Sequence, residues 1–158
     1  MMFRKAYFRS PSGAALVLIC SMLAVRPMLG SRRDLTIDDL KNQVATASLA
    51  DRPGLCIHIS ERQLEAADRF YVAGDSDKAQ AALVDVEAFS ELARDYAIQS
   101  HKHEKQSEIA IRKMARKLGD IKHTVTHEEQ KQIQDCIDRL QRVRDDLLLA
   151  MFPKGGKK

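Results

Sequence analysis

From residue 76 to residue 118 the chain contains neither glycine nor proline, the two residues that most strongly interrupt a helix. Within that stretch Ala79, Ala82, Leu83, Val86, Phe89, Ala93 and Tyr96 recur at spacings of three and four, a heptad-like stripe along one helical face. Residues 99–108 then carry no apolar side chain, and the stripe resumes at Ile111, Met114, Ala115, Leu118 and Ile121. Tyr96 and Ile111 are 15 residues apart, which at about 100° per residue rotates the second stripe by only about 60° from the first. The expectation is one long helix over residues 76–122 with a solvated waist. A break near residues 100–103, doubling the bundle back on itself, is the second arrangement.

The flanking segments read as shorter amphipathic helices. Residues 34–50 place Ile37, Leu40, Val44 and Ala47 on one face, and Asp51-Arg52-Pro53-Gly54 interrupts them. Residues 55–73 follow, with Cys56, Ile59, Ala66, Ala67 and Phe70 inward. Gly74-Asp75-Ser76-Asp77 ends that helix and caps the next. Thr126-His127-Glu128-Glu129 is a capping box opening a last helix, whose Ile133, Ile137, Leu140, Val143, Leu147 and Met151 form a 3-4 stripe up to Pro153. Turns this short imply antiparallel neighbours. The fold expected is all-α: antiparallel helical hairpins sharing one long central helix, behind an N-terminal signal or anchor segment.

That segment is residues 1–31. Arg4, Lys5 and Arg9 precede the apolar run of residues 14–25, and Arg26-Pro27 ends it. The layout fits a secretory signal peptide better than a membrane span, which needs about 20 apolar residues. Export to the periplasm or beyond is therefore expected, with N-terminal anchoring as the alternative. Residues 32–153 form the helical domain and residues 154–158 a basic tail. The formal charge of +4 belongs to the leader, because residues 32–158 hold 22 basic and 22 acidic side chains. A neutral domain has no general attraction for nucleic acid or anionic lipid, so no nucleic acid is expected as partner, and membrane only through an uncleaved leader.

Residues 60–97 resemble a single tetratricopeptide-type helical hairpin. Ala67 and Phe70 stand where that repeat places a small residue and an aromatic; Gly74-Asp75 marks its turn, and Ala79 and Leu83 match its second helix. Gln63 and Glu91 depart from the pattern. The resemblance implies a partner-binding architecture. The whole chain also resembles exported bacterial helical proteins, a likeness that implies no activity.

No nucleophile–histidine–acid set, phosphate loop or zinc knuckle is recognisable, and no enzyme activity or cofactor is expected. Two features remain. Arg112, Lys113, Arg116 and Lys117 form a basic band, and charge is divided along the chain: residues 34–97 carry 6 basic and 13 acidic side chains, residues 98–158 carry 14 and 9. That polarity suits docking of an acidic partner protein, or of a second copy head to tail. His101 and His103 lie in the apolar-free waist. On a straight helix they are about 200° apart and cannot share an ion; only a broken helix brings them together. The function expected is a non-enzymatic envelope or secreted interaction protein; the alternative is a metal- or small-ligand-binding bundle using His101 and His103. Finally, a straight central helix would hold Cys56 and Cys136 about 30 Å apart and free, whereas a folded-back bundle would permit a disulfide.

Overall fold

The computed structural model describes residues 35–153, so the expected leader and the basic tail lie outside the described residues. Five helices follow in order: α1 Ile37–Thr46, α2 Arg52–Val72, α3 Ser76–Ser100, α4 Glu104–Lys122 and α5 His127–Met151. No strand occurs among the described residues, and the fold is all-α.

Local chemistry sets most of the ends. Thr36 caps α1: its Oγ1 accepts from the Asp39 amide at 3.1 Å while the Asp39 carboxylate accepts from the Thr36 amide at 3.0 Å. Pro53 sits in the first turn of α2, where a missing N–H costs nothing, so this helix starts at Arg52 rather than after the Pro-Gly pair. Gly74 takes a φ of +74° between α2 and α3. Thr126 and Glu129 form the second reciprocal cap, and Glu129 also accepts from the Ser76 hydroxyl.

The central helix is not continuous. α3 ends at Ser100 and α4 begins at Glu104, with His101 (φ 53°) and His103 (φ 61°) both left-handed. The expected 76–122 helix is thus two helices, and the folded-back arrangement is the one adopted. Two left-handed residues bearing Cβ atoms cost about 1–2 kcal/mol each. Against this, bending carries the second stripe into the first hairpin's core. Ile111 and Leu118 become fully buried there, each worth about 1.5–3 kcal/mol, with Met114 and Ile121 adding to the balance. A straight helix would leave each hairpin with one apolar face open. Packing overrules local propensity.

The four long helices form a square in the order α2, α3, α5, α4, with α3 and α4 across a diagonal. Within each hairpin the helices are antiparallel. Between hairpins the neighbours are parallel: α5 follows α3, as Arg139 reaches Glu87 and Glu91 while Arg94 reaches Asp146, and α4 follows α2, with Lys117 on Asp68 at 3.3 Å. The division of charge seen in the sequence is met here inside the chain, acids of α2–α3 opposite bases of α4–α5, with Arg94–Asp146 in the reverse sense.

The main core joins Leu64, Leu83, Val86, Ile111, Leu118, Ile133 and Leu140 with their neighbours. A smaller core beneath α1 holds Leu40, Val44, Cys56, Ile59 and Ala93. Cys136 belongs to the first cluster and Cys56 to the second, and both are free and buried. The thiols are unbridged, as expected of the straight helix, yet in the folded-back bundle. They pack as small hydrophobes in separate layers.

A basic helix face between two grooves as the candidate site

The four basic residues of α4 follow one another at i, i+1, i+4 and i+5, so the helix turns them all to one side. The apolar stripe of Ile111, Met114, Leu118 and Ile121 takes the other side into the core. The band straddles two grooves. Arg112 and Arg116 rim the one between α4 and α5, a cleft of about 230 Å³ floored by Ile111, Ala115, Ile137 and Leu140 and closed on its far side by Gln141 and Arg144. Lys113 and Lys117 rim the one between α2 and α4, about 310 Å³, facing Glu61 and Glu65 across Leu64 and Met114.

The two grooves differ in electrostatic character. In the α2–α4 groove the lysines meet acids of their own chain, and Lys117 is held by Asp68. In the α4–α5 groove three arginines meet two acids, Glu108 and, against Arg144 alone at 3.9 Å, Asp145. Glu108, 8% exposed, accepts from Arg144 Nε at 3.0 Å and lies 3.6 Å from Arg112 Nε. One carboxylate therefore serves two guanidiniums, and Arg116 has no ion-pair partner among the described residues. A low-dielectric floor beneath arginines strengthens their attraction for an incoming carboxylate.

Arg144 was not singled out in the sequence; Glu108, four residues before Arg112, is a natural salt-bridge partner of the band and does pair with it, and a signal for its burial was present as well. Glu108 precedes Ile111 by three positions, in phase with the buried stripe, as Ser107 does by four; both are buried, and Ser107 Oγ has no hydrogen-bond partner. Arg144 needed the α4–α5 pairing, which no local pattern reveals. Ser60 and Ser90 were also missed. They meet between α2 and α3, where Ser90 Oγ donates to Ser60 Oγ at 3.3 Å and Ser60 Oγ donates to the Cys56 carbonyl at 3.1 Å.

The bend does bring His101 and His103 into one three-residue connection. His101 is almost wholly exposed, with Nδ1 3.7 Å from Glu104 Oε1. His103 turns toward a shallow depression beside Gln43, Thr46 and Asp51, at the end of α1. Among the described residues no three histidine, cysteine or carboxylate side chains converge in a way that would hold a metal ion.

The thiols are not poised for chemistry. Burial pushes Cys56 up to about 11, opposed only weakly by Arg52. Burial, reinforced by the Glu87 carboxylate, raises Cys136 further. Both stay protonated near neutrality, when a nucleophile requires the thiolate. Tyr71 is likewise pushed up to about 12 by burial and then by Glu129, and its hydroxyl has no hydrogen-bond partner.

Among the described residues no helix is long and apolar enough to cross a membrane. Comparison with protein-family models, curated proteins and solved structures finds no match to this chain.

Proposed function

We propose that this chain is an exported, non-enzymatic interaction protein that receives an acidic amphipathic helix of a partner protein along the outer face of α4. The observation that carries the reading is the α4–α5 groove, an apolar floor rimmed by Arg112, Arg116 and Arg144, where Glu108 is shared by two arginines and Asp145 reaches only Arg144. A helix laying apolar side chains at i, i+3 and i+4 onto that floor would set its flanking acids against the arginines. The tetratricopeptide-like stretch at residues 60–97 agrees with a binding role built from helical surfaces. Placement outside the cytoplasm rests on the basic-then-apolar pattern of residues 1–31.

The test compares the tagged full-length chain with its Arg112→Glu/Arg116→Glu variant, each expressed in its native cell and recovered from the envelope. The unaltered chain is expected to lack its first 24–31 residues by intact mass. It should retain a protein that elutes with rising salt, whereas the doubly reversed chain folds equally well and retains at least about tenfold less. Equal retention by both chains would end the reading of this face as the docking surface.

A further inference from the structure

The connection between α3 and α4 is where local and global preferences of this chain disagree most. Residues 101–103 join helices of 25 and 19 residues, and two of the three are left-handed without being glycine. In that conformation the Cβ crowds the following carbonyl oxygen. Nothing between residues 76 and 118 opposes a helix, so the backbone by itself favours running straight through. What bends it is the packing of hairpin α2–α3 on hairpin α4–α5.

That packing does not require the two hairpins to belong to one chain. The ion pairs joining them, Asp68–Lys117, Glu87 and Glu91 with Arg139, and Arg94–Asp146, all lie away from the connection. The Glu108–Arg144 pair and the Ser60–Ser90 contact lie within single hairpins and travel with them.

We propose that the chain exchanges its α4–α5 hairpin with a second copy by straightening at residues 101–103, giving a domain-swapped dimer. Each straightened helix then covers residues 76–122, about 70 Å at 1.5 Å per residue. Two of them lie antiparallel about a two-fold axis through their waists. The directions agree: α3 and α4 oppose each other within the folded-back chain, and antiparallel partners set α4 of one copy against α3 of the other in the same sense. At the axis the apolar-free residues 99–106 of the two copies come together, none of them buried in the single chain, so their polar side chains can stay hydrated. Every contact between hairpins is remade across chains. The balance is therefore set by strain released at four histidines against the lost freedom of two separate chains, and it shifts with concentration. This exchange is independent of what the α4 face binds.

The test uses the full-length chain with Cys20→Ser, so that engineered thiols are the accessible ones. An Asp68→Cys chain and a Lys117→Cys chain are unfolded together, refolded at high concentration and treated with a short bis-maleimide. The expected product is a covalent heterodimer whose peptide map joins positions 68 and 117; the same two proteins mixed after folding separately should not give it. In parallel, sedimentation equilibrium compares hinge variants. His101→Gly/His103→Gly removes the strain and should raise the dimer dissociation constant at least about tenfold. His101→Ala/Lys102→Ala/His103→Ala favours the straight form and should lower it by a similar factor. Should the alanine variant not remain soluble, the glycine variant against the parent decides. A dimer without the 68–117 link, no dimer in any variant, or a glycine variant that dimerises as well as the parent would overturn the proposal.

Discussion

At the level of single residues, the two buried cysteines make the clearest case of environment deciding chemistry. Two cysteines in one small domain invite a disulfide, yet Cys56 and Cys136 are walled into different layers of the bundle. The proton on Cys56 is held more tightly folded than unfolded, from an ordinary value of 9.0 to about 11, and desolvation of the thiolate is the main cause. The linkage has a definite sign. The folded state binds the proton more strongly, so the contribution is fully present below pH 9.0 and is lost as pH rises toward about 11. Cys136 acts in the same direction. Melting temperatures should thus fall more steeply above pH 9 in the parent than in a Cys56→Ala/Cys136→Ala variant, once each is normalised to its own value at pH 7. Parallel curves would show that the thiols ionise without cost to the fold. Native protein near pH 8 should also resist alkylation at both positions until it is unfolded, and both should then react as free thiols.

Helices make or fail to make themselves known in the sequence according to whether their ends are chemical or tertiary. α1, α2 and α5 end at capping boxes, a first-turn proline and Pro153, all local, and their spans were legible to within a few residues. The bend at 101–103 was legible only as the second arrangement, behind a straight helix. Its cause is the burial of Ile111 and Leu118 against another hairpin, which propensity does not weigh, and no glycine announces it. The polar waist was the trace it left: the apolar stripe stops where the chain turns the corner and resumes in α4. The basic band was legible for a related reason, since consecutive exposed charges on a regular helix must share a face. Its groove was not, because Arg144 arrives from α5. The two capping boxes also carry different weight. Thr126 starts a helix that lines the main core, while α1 packs on the smaller one. Thr126→Ala should therefore lower global stability by about 1 kcal/mol in denaturant melts. Thr36→Ala should instead speed amide exchange within α1 while leaving the global transition almost unmoved. Equal global losses would mean that α1 unfolds only with the whole bundle.

For the molecule as a whole, the uneven division of charge along the chain is the property that ties folding to assembly. Residues 34–97 are acidic and residues 98–158 basic, so each hairpin is repelled by its own kind and attracted by the other. The pairs that realise this attraction are half-exposed; Lys117 and Asp68 retain 42% and 39% of their side-chain surface. A single such pair is worth only about 0.2–1 kcal/mol, so the cores rather than the charges supply most of the stability. What the charges supply is register, because sliding α4 along α2 by one turn would move Lys117 off Asp68 while leaving apolar contacts of similar kind. A double-mutant cycle separates these roles. Asp68→Lys and Lys117→Asp should each destabilise the fold modestly, and the combined reversal should recover most of the loss. The coupling should shrink as salt is raised from about 0.05 to 0.5 M, a range over which the Debye length falls from about 14 to about 4 Å and half-exposed charges are increasingly screened. A combined variant no better than the sum of its parts would show that Asp68 and Lys117 act through solvation alone. The attraction between hairpins would then rest on Arg139 with Glu87 and Glu91, and on Arg94 with Asp146.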